Sequence, residues 1–429
     1  MKKPHEALLH TLLLSLALAA AGASHAQDYE APANLKAGDF APAALMKGTL
    51  YTVDDQVSFE GGMPRFTIRS PHGTWQARGV GMLEIRVSEL PAFEQLTNIS
   101  KSDEFGKAAK TALGDQAKTV GQLVQHPVDT VSNIASGIGI LATRVGSLAG
   151  SAATRAGDTI SGDTKAQKPI LKTVETTAGT AEPRKIIGGP LGYNQKRREW
   201  ARLLKVDPYT NNAALSDKLG DFAAASFAGS FPVNATVGVV AAPLSYTTEL
   251  NQAAQLEASQ YPPIDVESRN ETRLNKMGIE GLPVRTLFRN RYFTPTLQTS
   301  LVLALESLGN VAGRADVVTF ASRAASDDEA RYVINSVLVL ARHSQTIGIL
   351  THVRAADNVL SGGAANGKVV VPVPLDYIPW VKAVDDFSQR KDLNGTERWL
   401  LVTGKMTLKA TQELGKRGWR VAENLAAAK

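Results

Sequence analysis

The chain has 429 residues, of which 43% are hydrophobic and 21% are charged, and its formal net charge is +6. This composition suits a protein with ordinary globular cores and excludes a disordered or collagen-like chain. Because the chain contains no cysteine, it has no thiol nucleophile, zinc ribbon, iron–sulfur site, disulfide bond or lipid attachment through cysteine.

The first residues have the layout of a secretory signal peptide. Lys2 and Lys3 form a basic start, residues 8–21 are almost wholly apolar, and the small residues Ser24 and Ala26 precede a cleavage point ahead of Gln27. The apolar stretch is shorter than the roughly 20 residues that a membrane-spanning helix needs. We therefore expect residues 1–26 to be removed and the mature protein to be periplasmic or secreted.

Two short regions follow the signal peptide. Residues 27–47 are rich in Ala, Pro and Asp without an apolar period, which predicts a flexible N-terminal arm. Residues 48–100 contain three runs in which apolar and polar residues alternate, at 65–69, 74–78 and 82–87, and they predict a small antiparallel β unit. The expected buried face of this meander comprises Phe66, Ile68, Trp75, Ala77, Leu83, Ile85 and Val87.

Residues 101–155 are predicted to form an amphipathic helical segment interrupted by glycines. Apolar residues recur about every 3.6 positions from Phe105 to Ala152, which is the helical period. Pro127 and seven glycines weaken this helix, and its apolar face is mostly Ala and Val, which favours packing inside the protein over membrane contact. The candidate contacts to an anionic membrane surface or to an envelope protein are Lys107, Lys110, Lys118 and Arg144.

The middle of the chain carries most of the excess positive charge. Residues 101–205 contain 16 basic and 9 acidic residues, and residues 156–192 within them have no apolar period, which predicts a linker. A predicted helix beyond the linker carries Lys196, Arg197, Arg198 and Arg202, which we interpret as a solvated basic face. Since interleaved aromatic residues are missing, we expect no nucleic acid as a partner.

The remaining sequence predicts a helical body at residues 193–345 and a small α/β unit at residues 346–429. Thr294 and Ser326 are predicted helix N-caps, because Pro295 follows the first and acidic residues follow the second. In the α/β unit, strands are predicted at 346–354, 368–374, 399–403 and 419–421, and helices at 378–389 and 406–416. The fold class is therefore α+β.

Few catalytic motifs occur. Residues 362–368 match a phosphate-binding loop, but Val369 replaces its Ser or Thr and an extended run follows, which predicts a hairpin loop and no nucleotide. His343 and His352 are the close pair of histidines in the mature chain and the candidate catalytic residues. No H-E-x-x-H motif is present, and we expect no metal and no cofactor.

Three short motifs carry a resemblance to other proteins, namely Lys205-Val206-Asp207-Pro208-Tyr209-Thr210, Pro374-Leu375-Asp376-Tyr377 and Gly418-Trp419-Arg420-Val421. With these motifs the chain resembles a loose group of functionally uncharacterised exported bacterial proteins, which implies an envelope location and no particular activity. We expect an exported envelope protein with a binding or scaffolding role. The alternative is a hydrolase that acts on an envelope polymer through a dispersed active site.

Overall fold

The computed structural model describes residues 29–30, 35–113, 191–228, 231–233 and 249–425. Within these ranges the protein has a mixed α+β fold, as the sequence predicted, with one sheet near its N-terminal end and another near its C-terminal end. The predicted signal peptide, nearly all of the linker and most of the amphipathic segment lie outside the described residues. None of the described helices is long and apolar enough to cross a bilayer.

Residues 35–47 are ordered and packed, which corrects the prediction of a flexible arm there. They form a short 3₁₀ turn (Ala37–Asp39) and helix α1 (Ala43–Met46). Ala37, Ala41 and Leu45 are buried in the N-terminal core. The sequence pattern did not reveal this packing because three apolar residues spaced four apart are too few to give a recognisable helical period.

The N-terminal sheet is antiparallel, with strand order β1-β2-β4-β3 and β5 paired to β4. Phe66, Ile68, Trp75 and Ala77 are buried on one face of the β4–β5 hairpin, as their alternation predicted. The strands are β1 (Lys47–Gly48), β2 (Tyr51–Val53), β3 (Ser58–Glu60), β4 (Met63–Ser70) and β5 (Gly73–Arg78).

The third alternating run, residues 82–87, is helical, so the prediction of a strand there was wrong. It begins helix α2 (Val80–Ser100), which packs against β5. Alternation over six residues fits a strand, but Leu83, Val87, Leu90 and Leu96 are buried at helical spacing over a longer stretch. The longer period therefore decides the structure.

The next three helices pack with α2 and the N-terminal sheet around one core. Phe105 of the first stacks on Phe222 of the third, with 4.2 Å between ring centroids, and Trp200 of the second lies fully buried beside them. The described start of the amphipathic segment thus packs inside the protein. These helices are α3 (Asp103–Leu113), α4 (Leu191–Leu204) and α5 (Ala213–Phe227).

Six further helices form a second core with one face of the C-terminal sheet. Both predicted caps are confirmed, because Thr294 Oγ1 accepts a hydrogen bond from Leu297 N and Ser326 Oγ accepts one from Glu329 N. The helices are α6 (Glu249–Gln260), α7 (Pro263–Lys276), α8 (Leu282–Arg289), α9 (Pro295–Ser307), α10 (Arg314–Ala321) and α11 (Asp327–Thr346).

The C-terminal sheet has strand order β12-β10-β8-β7-β6, in which β8, β10 and β12 are parallel. Helix α11 packs against one face, and α12 and α13 cover the other. The predicted alternation of strands and helices holds for β8, α12, β10, α13 and β12, whereas the first predicted strand overlaps β6 only at residues 352–354 and the strands β7, β9 and β11 were not predicted. The elements are β6 (His352–Ala356), β7 (Val359–Gly363), β8 (Val369–Val373), β9 (Tyr377–Ile378), α12 (Lys382–Ser388), β10 (Arg398–Val402), β11 (Lys405–Met406), α13 (Leu408–Lys416) and β12 (Trp419–Ala422).

The segment that matches a phosphate-binding loop connects β7 to β8 as a hairpin, as predicted. The two strands pair antiparallel, with Gly362 opposite Val370 and Gly363 opposite Val369. A phosphate-binding loop leads from a strand into a helix, so this β-hairpin does not have the structure of a phosphate-binding loop.

Candidate functional site

Asp376 lies at the edge of the C-terminal sheet where β8 and β10 end. Its carbonyl oxygen accepts a hydrogen bond from Lys405 N at 3.0 Å, and its own N–H donates to the Gly62 carbonyl oxygen of the N-terminal sheet at 3.1 Å. A Cβ on Gly404 would lie 2.0 Å from the Asp376 carbonyl oxygen, so this approach requires glycine. The carboxyl ends of parallel strands are where α/β sheets bind ligands, which makes this edge a candidate site.

The Asp376 side chain caps helix α2 from a distant part of the chain. Its Oδ2 accepts a hydrogen bond from Val80 N at 2.8 Å. The residue at the N-cap position, Gly79, has a φ of +82° and no side chain that could serve as a cap. The free N–H groups and the positive end of the helix dipole both favour a carboxylate at this place. Asp376 therefore fastens the C-terminal unit to the N-terminal unit.

Glu84 lies one turn further along α2 on the same side as Val80. It is partly buried, and burial together with the nearby charge of Asp376 raises its pKa to about 7. Burial also raises the pKa of Asp376 to about 6, although its hydrogen bond from Val80 N acts in the opposite direction. The two carboxyl groups thus change protonation close to neutral pH.

Such a carboxyl pair can serve two purposes. A carboxyl group whose pKa lies near 7 can donate and accept a proton at neutral pH, as general acid–base catalysis requires. It can equally be a structural pair that tolerates a raised pKa because Asp376 is needed as a helix cap. Among the described residues, no group of three or more His, Asp or Glu side chains is placed to hold a metal ion.

A second acidic residue of α2, Glu89, has a different environment. It is 3% exposed, and its carboxylate accepts hydrogen bonds from Arg86 Nη1 at 2.9 Å, from Asn212 Nδ2 at 2.8 Å and from the Thr210 hydroxyl. Arg86 Nη2 also donates to Asn211 Oδ1 at 2.6 Å. We call these five residues the Glu89 cluster. It joins α2 to the loop that precedes α5, and its polar groups are occupied by one another.

The predicted solvated basic face of α4 is wrong for its two central residues. Arg197 and Arg198 are 3% and 7% exposed. The Arg197 guanidinium donates to the carbonyl oxygens of Pro208 and Ser216 and to the Ser216 hydroxyl, at 2.8–2.9 Å. A guanidinium can be buried when several acceptors surround it, and α5 with the loop before it supplies them here.

The structure places the two candidate histidines, His343 and His352, in different environments. His343 is buried in α11, its Nδ1 has no hydrogen-bond partner, and burial with the nearby Lys368 charge lowers its pKa to about 4. His352 is exposed on β6, and its ring contacts the Thr351 hydroxyl at 3.2 Å. In the described part of the chain, neither ring is hydrogen-bonded or ion-paired to Asp or Glu.

Two of the four residues predicted to contact a membrane or partner lie in the part of the chain that the structure describes. Lys107 is exposed on α3, opposite the buried Phe105, Ala108 and Ala109. Lys110 belongs to the same helix. Lys118 and Arg144 lie outside the described residues.

An apolar cavity of about 40 Å³ lies between α12 and the C-terminal sheet. Leu375 and Tyr377, the two neighbours of Asp376, are among its lining residues, together with Gly62, Tyr332, Phe387 and Met406. A cavity of this size with apolar walls holds no more than one or two small groups and favours a dry interior. The cavity therefore lies directly beside the Asp376 loop.

These features define the class of protein by its fold, a mixed α+β chain whose units are joined by partly buried polar contacts. Comparisons with protein-family models, with curated proteins and with solved structures found no match.

Proposed function

We propose that this is an exported protein of the cell envelope with a binding or scaffolding role. The observation that carries the proposal is a set of partly buried polar contacts between units. Asp376 caps α2, Arg78 pairs with Asp328 of α11 at 2.9 Å, and Thr296 of α9 donates to Asp207 at 2.7 Å. Polar contacts of this kind hold units in one arrangement, which suits a protein that presents a fixed surface.

The basic start, the apolar run and the small residues before Gln27 support export. The test is fractionation of the producing cells, followed by mass measurement of the full chain. We expect a mature N-terminus at Gln27 in the periplasmic or secreted fraction, and retention of the leader in an Ala26→Arg variant. An unprocessed chain in the cytoplasm would overturn this proposal.

The binding role extends to the membrane, with the basic residues of the amphipathic segment as one route of contact. The test is flotation of the mature protein with anionic vesicles at low and high salt, compared with a variant that lacks residues 114–190 but keeps α3. Salt-sensitive flotation that depends on these residues supports contact through the segment. Equal flotation of both forms places the contact elsewhere.

A hydrolase remains the second candidate, and Glu84 with Asp376 is the observation that favours it. Their pKa values of about 7 and about 6 suit proton transfer at neutral pH. The test is release of soluble fragments from purified peptidoglycan by the mature protein. An enzyme would lose this activity at least about 100-fold in Glu84→Gln, whereas a scaffold releases nothing in any form.

A further inference from the structure

The first residues that the structure describes, Tyr29 and Glu30, are docked on the C-terminal unit. The Tyr29 hydroxyl donates to Asp385 Oδ2 at 3.1 Å, and the Tyr29 ring packs against the apolar core of that unit. Glu30 N donates to the Trp380 carbonyl oxygen at 2.9 Å, and Trp380 N donates in return to the Glu30 carboxylate. The same carboxylate oxygen accepts a hydrogen bond from the Thr407 hydroxyl at 2.6 Å. We call Tyr29 and Glu30 the N-terminal latch.

The residues that hold the N-terminal latch belong to the wall of the apolar cavity between α12 and the C-terminal sheet. Trp380 lies between two residues that line this cavity, and Asp385 belongs to α12, which forms one side of it. Thr407 directly follows Met406, another lining residue, and Thr407 N donates to the carbonyl oxygen of the lining residue Ile378 at 3.1 Å. The latch therefore joins three parts of the cavity wall.

Release of the latch leaves the buried Asp385 carboxylate with partners. Asp385 is 1% exposed, and its Oδ1 is ion-paired with Arg417 Nη2 at 2.7 Å and accepts a hydrogen bond from Gln389 Nε2 at 3.0 Å. Because these two donors stay in place when the Tyr29 hydroxyl leaves, the carboxylate keeps its neutralising cation. A segment held by a few hydrogen bonds also opens at a lower free energy than a core strand does. The latch can therefore open while the C-terminal unit stays folded.

The cavity beside the latch suits an apolar ligand. Its volume is about 40 Å³ and its walls are apolar, which favours a dry interior. Apolar walls around such a space gain dispersion contacts when an apolar group enters it. Since an apolar cavity of about 150 Å³ holds benzene, the closed cavity takes a smaller group, and a larger group requires that its walls move apart.

We propose that this cavity is a binding pocket for a small uncharged apolar group, such as a short alkyl chain or a phenyl ring, and that the N-terminal latch controls its size. When the latch is released, the wall segments that it joins separate and the pocket admits a larger group. Leu375 and Tyr377 line the pocket on either side of Asp376, so an occupant lies beside the candidate site. This inference goes beyond the envelope role and does not depend on where the protein is located.

The test compares xenon and benzene as probes, using the chain from Gln27 onward. Xenon fits the closed pocket, so its affinity, followed through the methyl resonance of Met406, should change less than about twofold when the latch is removed. Benzene requires the open pocket, and its apparent affinity scales with the fraction of the protein in the open state. The double variant Tyr29→Ala and Glu30→Ala should therefore bind benzene at least about fivefold more tightly than the unchanged protein. Tyr29→Phe, which loses only the hydroxyl, should have an intermediate effect.

Two further variants separate the latch from the pocket. Lys36→Ala changes an exposed residue of the same N-terminal segment that pairs with Asp55 at 3.4 Å, and it should bind both probes as the unchanged protein does. Ala383→Leu fills the pocket from α12 and should weaken the binding of both probes more than about tenfold. Circular dichroism and the unfolding midpoint show whether each variant keeps the fold, and Ala383→Val, which adds less volume, replaces Ala383→Leu if the latter does not fold.

Three outcomes would overturn the inference. Equal benzene affinities of the latch variant and the unchanged protein would show that the latch does not control the pocket. Binding of the probes that survives the filling of the pocket at Ala383 would place them at another site. Failure of both probes to bind either protein would show that the cavity is a packing defect without a ligand. Each of these outcomes leaves the export proposal standing, because cell fractionation tests it separately.

Discussion

Glu84 and Glu89 lie on the same helix, five residues apart, and show how differently one fold can treat two identical side chains. Glu89 is surrounded by donors from Arg86, Thr210 and Asn212. Glu84 has Asp376 as its neighbour, and burial with that charge raises its pKa to about 7. Five residues correspond to about 140° around a helix, so each side chain meets a different unit of the protein. The partner supplied by the tertiary structure, rather than the helix, decides what each carboxyl group does.

The largest change in stability is expected when the Glu89 carboxylate is removed. Glu89→Ala leaves the Arg86 guanidinium buried without its anionic partner and should lower the free energy of unfolding by about 3–5 kcal/mol. Urea denaturation at pH 7 measures this change. Glu271→Ala removes an exposed carboxylate of α7 and serves as a control, and a loss of less than about 1 kcal/mol in Glu89→Ala would contradict the assigned role.

The next effect concerns the cap that Asp376 provides. Asp376→Ala removes the acceptor for Val80 N and should cost about 1 kcal/mol of unfolding free energy at pH 5. Asp376→Asn keeps an oxygen acceptor and should cost less. In both variants one cause of the raised Glu84 pKa is removed, so that pKa should fall, which carbon-detected NMR of the Glu84 carboxyl can follow. An unchanged Glu84 pKa would show that burial alone sets it.

The third prediction concerns pH. The pKa of Glu84 is higher in the folded protein than in the unfolded chain, so the folded state binds more protons between about pH 4.5 and 7. The stabilisation is complete below about pH 4.5 and is lost as the pH rises through 7. Glu84→Gln should therefore stabilise the protein by about 1 kcal/mol at pH 8, a value reduced for the solvent that reaches this side chain, and have little effect at pH 4.5. Equal effects at both pH values would contradict the raised pKa.

Local patterns predicted the hairpin, the caps and the alternation of the C-terminal unit because these features depend on neighbouring residues. Strand β7 was missed because its last three residues, Ser-Gly-Gly, are typical of a loop, whereas the equally buried β8 is rich in Val and was predicted. The candidate site could not be predicted from the sequence for a different reason. Val80 and Asp376 are 296 positions apart, and only the tertiary fold brings them together. Two local signals could have drawn attention to Asp376, namely its place just after a predicted strand and its position in the motif Pro374-Leu375-Asp376-Tyr377.

The smallest expected effect comes from His343, whose contribution to stability changes with pH in the opposite direction to that of Glu84. The pKa of His343 is lowered to about 4 in the folded protein, so between about pH 4 and 6.5 the unfolded chain binds more protons and acidification destabilises the fold. His343→Leu removes this loss and also the buried Nδ1 that has no partner, and it should stabilise the protein by about 1 kcal/mol or less at pH 5.5. Because Glu84 and His343 act in opposite directions in the same pH range, the measurement is clearest in a Glu84→Gln background. Asp376, whose pKa is also raised, still acts against His343 in that background, so the informative quantity is the difference between Glu84→Gln and the double variant with His343→Leu. The stabilisation that His343→Leu adds should be larger at pH 4.5 than at pH 6.5, and an equal effect at both pH values would contradict the lowered pKa of His343.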